Sequence, residues 1–347
     1  MRRASSIIVT LCFAASAAAH HSPNLHFDRN DVAAISGEIA SVAWRNPHTE
    51  LIVSVPDENG QTVSWVIDAR GATQFLRAGL SRDMFQVGDP IRVAGFRGRR
   101  NQHALFSTNI LLTDGRELVA DNFAAPRWAP ERAVMLVSGG GPAPVSQAST
   151  DDSQGIFRVW SRDRSDHGIQ GTGRSLWLDD YPLTEQARAV QTSWDRIADN
   201  PYIRCETGMP AIMDLGTPME FVAEGNDIVL YLEEQDTVRR IHMTSASDTG
   251  RGTPLGYSLG RWEGESLVVS TTDVDWPWFD QSGVPQSQDV QFTERFTPSP
   301  DGRVLTYSIT VTDPATFSDA VTLERYWIWV PGEQIRPYDC TWDREDL

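Results

Sequence analysis

The stretch that decides the fold of the N-terminal half is LIVSVPDENGQTVSWVIDA, which runs from Leu51 to Ala69. Apolar and polar residues alternate on both sides of Asp57-Glu58-Asn59-Gly60, as they do in strands that bury one face. Asn-Gly is the strongest short signal for a tight turn between two such strands. The sequence therefore predicts a β-hairpin here.

Further strands and one helix are predicted around this hairpin. Val32 to Trp44 precedes it as a strand, and Ala72 to Ala78 follows it with helical spacing. Ile91 to Phe96 and Leu105 to Leu112 supply two more strands. The order strand–strand–strand–helix–strand–strand is typical of an OB-fold, a five-stranded Greek-key barrel. We predict an OB-like domain at residues 20–118.

The second half of the chain is also predicted to be mainly β. Residues 119–155 are rich in Pro and Gly, which is typical of a linker. A helix is predicted from Thr184 to Ile197. Eight short apolar runs separated by turn residues then predict a closed antiparallel barrel or a sandwich within residues 156–347. The runs are Met219–Ala223, Ile228–Leu232, Val238–Met243, Leu255–Trp262, Leu267–Thr271, Val290–Phe296, Val304–Val311 and Val321–Trp329.

The N-terminus has the three parts of a secretory signal peptide. Arg2 and Arg3 precede an apolar run from Ile7 to Ala15, and Ala17-Ala18-Ala19 fits the small-residue cleavage pattern. The apolar run is far shorter than the ~20 residues needed to cross a bilayer. We expect cleavage after Ala19, a periplasmic or secreted mature protein, and no membrane span.

The mature sequence keeps two cysteines, Cys205 and Cys340. An even pair in an oxidising compartment usually forms a disulfide. A cysteine nucleophile is less favoured, because no histidine lies near either residue in sequence and a disulfide would consume the thiolate. We predict that the two cysteines are bonded to each other.

Composition excludes several classes of function. The 347 residues include 30 basic and 47 acidic side chains, a formal net charge of −17, and every basic residue is arginine. Mechanisms that need a Schiff-base lysine, a phosphate-loop lysine or a Ser–Lys dyad are therefore excluded. The acidic balance argues against nucleic acid as a partner, because polyphosphate binding needs a positive surface. Arg97, Arg99 and Arg100 are accordingly interpreted as a solvated loop.

Four of the seven histidines, His20, His21, His26 and His48, fall within 29 residues. Cleavage after Ala19 would leave His20 with a free α-amine beside its own imidazole, and these two nitrogens can chelate one metal ion. A third nitrogen from His21, His26 or His48 would complete a T-shaped site that suits Cu(II). The alternative is that His21 and His26 lie on a frayed terminus and that His48 satisfies a turn.

Three tryptophans and three polar residues of the second half are candidates to line a pocket for a small apolar ligand. Closed barrels of this size can enclose such a ligand. Trp327 and Trp329 alternate along one strand, so both should face the same side. The alternative is that the tryptophans are ordinary core and the polar residues a structural ion pair. The six candidates are Trp262, Trp327, Trp329, Glu294, Arg295 and His242.

Two sets of motifs resemble exported bacterial proteins of unknown function. His20-His21-Ser22 and Trp44-Arg45-Asn46-Pro47-His48 resemble a family that carries an N-terminal Ala-His-His-Ser and a later Trp-x-Asn-Pro-His, over roughly residues 19–115. The C-terminal half is similar to a region that accompanies such domains, and neither resemblance implies an established activity. The motifs of that region are Arg204-Cys205, Gly208-Met209-Pro210, Gly260-Arg261-Trp262-Glu263-Gly264, Glu294-Arg295-Phe296 and Asp313-Pro314.

A binding protein is favoured over an enzyme. Gly256-Tyr257-Ser258-Leu259-Gly260 matches the hydrolase nucleophile elbow, but an elbow needs a strand–turn–helix and this segment leads into a hairpin. In similar C-terminal regions a histidine often precedes this serine, where this chain has Tyr257. The alternative function is an exported hydrolase or isomerase acting on a small hydrophobic molecule. Such an enzyme should gather titratable residues with shifted pKa in one concave pocket.

Overall fold

Two β-structures, one from each half of the chain, make up the computed structural model, so the mainly β fold predicted from the sequence is confirmed. Among the residues described, no helix is both long and apolar enough to cross a bilayer. The described residues are 26–121, 124–136, 155–161, 180–195, 198–214, 217–244 and 252–340.

The N-terminal sheet has the strand order β3-β2-β1-β4-β5-β6-β7, and β3 also pairs with β5. This extra pairing closes the first five strands into a ring with the strand connections of an OB-fold. The helix α1 (Ala72–Arg77) lies between β3 and β4 in sequence, as predicted. The strands are β1 (Phe27–Ala43), β2 (Glu50–Pro56), β3 (Thr62–Asp68), β4 (Pro90–Gly98), β5 (Ala104–Leu111), β6 (Glu117–Val119) and β7 (Ala133–Met135).

The predicted hairpin joins β2 to β3. Leu51 lies opposite Ile67, and Val53 lies opposite Trp65, so the apolar residues of both strands point into the same core. The connecting turn needs a left-handed residue, and Gly60 supplies it with a φ of 76°. The alternating pattern therefore sets the register of this strand pair.

Part of the predicted linker belongs to the N-terminal sheet instead. Strand β7 pairs in parallel with β6, and Val119, Ala120 and Leu136 are buried. The buried carboxylate of Glu117 explains how this irregular chain packs, because it accepts backbone N–H bonds from Arg127, Trp128 and Ala129 at 2.6–2.8 Å. The Pro- and Gly-rich composition predicted an irregular backbone here, but it did not predict that part of this backbone is buried. Residues 137–154 of the predicted linker lie outside the described residues.

The C-terminal half forms a closed barrel of nine strands in the order β10-β11-β12-β13-β14-β15-β16-β8-β9. Neighbouring strands are antiparallel except β11 and β12, which are parallel. The eight predicted strands are all present, and β8, which was not predicted, closes the barrel between β16 and β9. The strands are β8 (Val159–Ser161), β9 (Met219–Glu224), β10 (Asp227–Leu232), β11 (Thr237–His242), β12 (Tyr257–Glu263), β13 (Ser266–Thr272), β14 (Gln291–Pro298), β15 (Val304–Thr312) and β16 (Val321–Trp329).

The predicted helix before the barrel is shorter than expected. Helix α2 runs from Glu185 to Ser193, and the hydroxyl of Thr184 caps it by accepting the Ala187 backbone N–H at 3.1 Å. Ala187 is buried, whereas Val190 is exposed, so the helix packs along a narrow stripe. Residues 196–197, at the predicted end of this helix, are outside the described residues.

Large side chains fill the barrel interior. Tyr307 packs against Trp327 at 5.2 Å between ring centroids, and Phe221 packs against Phe296 at the same distance. These four residues and Trp160 are almost completely buried. The interior is therefore a packed core, as it is in small barrels filled by side chains.

The predicted disulfide is confirmed. Cys205 follows a short 3₁₀ helix (Pro201–Arg204) and is bonded to Cys340, with 5.9 Å between the Cα atoms. Cys340 ends a run that we call the C-terminal segment, residues 333–340, which follows the last barrel strand. The bond fixes this segment against the C-terminal half.

Candidate functional site

The six residues predicted to line an apolar pocket do not form one site. Trp327 lies in the barrel core, and Trp329 is partly buried against it. Trp262 is 43% exposed and contacts Phe157 near the end of β12. Arg295 is exposed and bonded to Glu263, because consecutive residues of a strand point to opposite faces and Glu294 points inward.

The partner of Glu294 is Arg239, which the sequence analysis did not single out. The Arg239 Nη1 atom donates to Glu294 Oε1 at 2.9 Å, Nη2 donates to Oε2, and the Tyr307 hydroxyl donates to Oε1 at 2.9 Å. Arg239 also donates to Ser258 and Thr271 at 3.0 and 2.8 Å. The pair is saturated by its own neighbours, which is the arrangement of a structural ion pair. One sequence signal for the burial of Arg239 was available. Arg239 lies two residues before the apolar Ile241, and alternate residues of a strand point to the same face.

His242 belongs to a different place on the barrel. Its Nδ1 atom lies 3.2 Å from the Asp227 carboxylate, and its ring stacks on Tyr257 with 5.1 Å between centroids. Ser258, in the Gly-x-Ser-x-Gly stretch, is buried on β12 and bonded to Arg239 and Thr271. This stretch continues into the β12–β13 hairpin, so it lacks the strand–turn–helix that a nucleophile elbow needs.

Of the histidines predicted to bind copper, His26 and His48 are described, whereas His20 and His21 lie outside the described residues. His48 lies in the loop between β1 and β2. Its Nδ1 atom contacts the Oδ1 atom of Asp68 at the end of β3, and its side chain is 17% exposed. Nε2 of His48 has no hydrogen-bond partner in the part of the chain that the structure describes. A carboxylate on one ring nitrogen with the other nitrogen open is the usual arrangement of a metal-binding histidine.

The start of β1 and His48 contact the same aromatic ring. The ring of Phe27 packs on Phe106 at 5.6 Å, and the ring of His48 packs on the same Phe106 at 5.9 Å. His26 immediately precedes Phe27, and its carbonyl accepts the Arg99 backbone N–H at 2.7 Å. The start of β1 and His48 are therefore linked through Phe106. This proximity depends on the tertiary fold and had no signal in the sequence.

Both signs of charge surround the His48–Asp68 pair. Arg70 places its guanidinium 6.0 Å from the centre of the Phe106 ring and donates to the Ala120 carbonyl at 2.7 Å. Burial lowers the pKa of Arg70, with Asp121 and Asp68 opposing this effect. Burial raises the pKa of Glu50, which Arg45 opposes. Within the described ranges, no three His, Cys, Asp or Glu side chains are grouped so as to hold a metal ion.

A second polar cluster, which the sequence analysis missed, lies at the junction of the two halves. The Thr73 hydroxyl donates to Glu233 Oε1 at 2.9 Å, and the Arg336 backbone N–H donates to Glu233 Oε2 at 3.0 Å. The Tyr338 hydroxyl donates to Glu234 Oε1 at 2.6 Å. Burial raises the pKa of each glutamate to about 7, although these hydrogen bonds act to lower it.

The Asn-Pro-His motif takes part in this junction. The Asn46 side chain donates to the Thr73 hydroxyl at 3.0 Å, and its backbone carbonyl accepts the Asp339 N–H at 2.8 Å. Arg45 is ion-paired with Asp339, and Arg77 is ion-paired with Glu333. The C-terminal segment thus covers the two glutamates and joins the halves.

The geometry therefore defines an OB-like module joined to a packed β-barrel, with a histidine in contact with a carboxylate on the first and an enclosed acidic pair between them. Residues 9–106 match the family model of DUF6152, a family of unknown function. This match confirms, for the N-terminal part, the predicted resemblance to a family of unknown function. Comparison with curated proteins finds no match to the chain.

Proposed function

We propose that this chain is an exported binding protein that holds a small apolar ligand on its C-terminal β domain and one Cu(II) ion at its mature N-terminus, beside His48. Binding is preferred over catalysis because the two carboxyls with strongly raised pKa, Glu233 and Glu234, are enclosed by Thr73, Arg336 and Tyr338. A general acid or base must instead reach its substrate.

The contact between His48 and Asp68 is the observation that carries the copper proposal. In its Nδ1–H tautomer, His48 donates to the Asp68 carboxylate, which leaves the lone pair of the imidazole on Nε2. In this tautomer Nε2 can bind a metal ion without rotation of the ring.

Chain length allows the mature N-terminus to reach this imidazole. His20 precedes Phe27 by seven residues, and a chain of that length can extend ~20 Å at ~3.3 Å per residue. Phe27 and His48 each pack on the ring of Phe106, with centroids 5.6 and 5.9 Å from it. The amine and imidazole of His20, with Nε2 of His48, would give three nitrogen ligands, a set that suits Cu(II).

Calorimetric titration of Cu(II) into protein that begins at His20 tests the proposal. We expect one tight site, whose affinity falls as the pH drops through ~6.5 because protons compete for the imidazoles. His48→Ala and an added N-terminal methionine should each lower the affinity at least about tenfold. His103→Ala is the matched control, because His103 lies on the same module and packs on Trp65. Equal affinity for the free and the extended N-terminus would remove the proposal.

Because the barrel interior is packed, we propose that the apolar ligand binds at an end or on the outside of the barrel. Trp160, Tyr307 and Trp327 occupy the centre together with the Arg239–Glu294 pair. Displacement of a covalently linked, fully buried side chain by a ligand would break this packing. We therefore place the ligand of the C-terminal domain outside the strand ring.

A further inference from the structure

The backbone loop that carries His48 is held from two sides. We call residues 44–49, which lie between β1 and β2, the His48 loop. On one side of this loop lies the start of α1. The Asn46 side chain donates to the Thr73 hydroxyl at 3.0 Å and accepts the Thr73 backbone N–H at 3.2 Å. One amide side chain therefore binds the loop to the first turn of the helix.

The contact between the His48 loop and α1 is close. A Cβ atom on Gly71 would lie 2.5 Å from the Pro47 carbonyl oxygen and 2.6 Å from Oδ1 of Asn46. The Ala72 backbone N–H donates to the Arg45 carbonyl at 3.0 Å. The loop thus has no room to move toward the helix, and its position depends on what lies on the opposite side.

On the opposite side lies the C-terminal segment, which belongs to the other half of the chain. The Asn46 carbonyl accepts the Asp339 backbone N–H at 2.8 Å, and Asn46 also forms a parallel bridge with Tyr338. Arg45 is ion-paired with the Asp339 carboxylate. Asn46 is only 4% exposed, so the helix and the C-terminal segment together enclose it.

The C-terminal segment is itself attached to the barrel half on both sides of Asp339. The Tyr338 backbone N–H donates to the Asp236 carboxylate at 3.0 Å. Cys340, next to Asp339, is bonded to Cys205. The backbone N–H that reaches the His48 loop is therefore fixed by one hydrogen bond and one covalent bond to the C-terminal half.

We propose that the C-terminal segment is a positioning element for His48, through which the C-terminal half controls the metal site of the N-terminal half. A shift of the His48 loop would carry the imidazole away from Asp68, which its Nδ1 atom contacts. Metal ligands must be held within about 0.5 Å of their productive geometry, so a displaced loop loses its nitrogen ligand. This inference rests on the proposed copper function and adds the regulation of that site.

Cu(II) binding to variants of Asp339, in protein that begins at His20, tests the inference. Asp339→Pro removes the N–H that the Asn46 carbonyl accepts, and it should lower the Cu(II) affinity about tenfold. Its electron paramagnetic resonance spectrum should match that of His48→Ala, with one nitrogen ligand fewer than in the wild type. Asp339→Ala is the matched control, because it keeps the N–H and removes only a half-exposed ion pair; its affinity should stay within about twofold of the wild type.

A second variant acts on the segment without changing its backbone donors. Cys205→Ser with Cys340→Ser releases the end of the segment next to Asp339 and should change the copper spectrum in the same direction as Asp339→Pro. A general loss of stability would not by itself remove one nitrogen ligand from bound copper. Wild-type spectra in both variants would overturn the inference.

Hydrogen exchange of the metal-free protein separates this inference from the copper proposal. The Thr49 N–H donates to the Arg70 carbonyl at 3.2 Å at the end of the His48 loop. In Asp339→Pro, exchange at Thr49 and Ala72 should be faster by about fivefold or more, while Ile39, within β1, keeps its protection. Unchanged exchange at Thr49 and Ala72 would overturn the positioning role. Faster exchange, together with equal copper affinity for the free and the extended N-terminus, would support that role and remove only the copper proposal.

Discussion

Glu294 in the barrel and Glu233 at the junction are both completely buried, yet their surroundings differ. Glu294 faces the guanidinium of Arg239 directly, with a tyrosine hydroxyl on the same carboxylate. Glu233 receives a hydroxyl and a backbone N–H, while the nearby Arg77 is bonded to Glu333. One buried acid has a cation in contact, and the other has only neutral donors.

This difference distinguishes a barrel core, in which the buried charges are paired, from a junction whose protonation changes with pH. A buried charge needs direct compensation, and neutral donors compensate it only in part. Burial therefore raises the pKa of Glu233 to about 7, so the junction gains and loses a proton close to neutral pH. The polar character of the junction is typical of interfaces between domains that move relative to each other.

Removal of the disulfide is expected to have the largest effect on stability, and it should affect the junction more than the barrel core. Cys205→Ser with Cys340→Ser should lower the free energy of unfolding by ~4–5 kcal/mol, because a long loop of the unfolded chain is no longer closed. The C-terminal segment that covers Glu233 should loosen, while the Arg239–Glu294 pair stays buried. Hydrogen exchange measures both regions in one experiment. Equal loss of protection at the junction and in the barrel would contradict the contrast.

Glu294→Gln should destabilise the protein by about 4 kcal/mol, because it leaves the Arg239 guanidinium buried without a counter-charge. Urea unfolding at constant pH measures this change. Arg295→Gln, at the next residue of the same strand, is the control and should change stability by less than about 1 kcal/mol, since its partner Glu263 is on the surface. A cost below ~1 kcal/mol for Glu294→Gln would show that the pair is not a structural ion pair.

Stability should rise as the pH falls from 8 to 5, through the raised pKa of Glu233. The folded carboxyl takes up its proton near pH 7, whereas the unfolded one remains charged until pH ~4.3. Between these two pKa values the proton binds only the folded state, which gains at most about 4 kcal/mol, and below pH ~4 the gain is constant. The difference in unfolding free energy between wild type and Glu233→Gln, measured across this range, isolates the contribution. A difference that does not change with pH would be evidence against a raised pKa.

Thr73→Val is expected to have the smallest effect, about 1 kcal/mol at pH 7. The Thr73 hydroxyl favours the charged form of Glu233, so its loss should raise the pKa of Glu233 further. The midpoint of the pH dependence should then move to higher pH. Thr310→Val, which removes one hydroxyl of an exposed threonine pair, is the control and should leave the midpoint in place.

Local patterns predicted most of the fold. The alternation in Leu51–Ala69, the Asn-Gly turn and the eight apolar runs of the second half all correspond to observed strands. Strand β8 was missed because three residues are too short to show a period. The cysteine pair was predictable because an even number of cysteines in the predicted oxidising compartment favours a disulfide.

The candidate sites were predicted less well, because they are formed by residues distant in sequence. Thr73, on helix α1, and Glu233, just after β10, are 160 positions apart, and no local pattern around either residue indicates the other. The adjacent Glu294 and Arg295 were grouped by sequence, although the pleat of a strand separates them. His48 was singled out as a possible ligand, but only the fold shows that Asp68 contacts it and that it shares the Phe106 ring with Phe27.

The shortest strand of the barrel has the largest consequence for how a fragment of this protein would behave. Strand β8 lies between β16 and β9, and it reaches them from a position before α2. A fragment that starts after Ser161 would keep eight strands but would expose two unpaired edges along the gap. Such edges recruit strands from other molecules, so that fragment should aggregate or exchange strands, whereas one that begins before Val159 can close on itself.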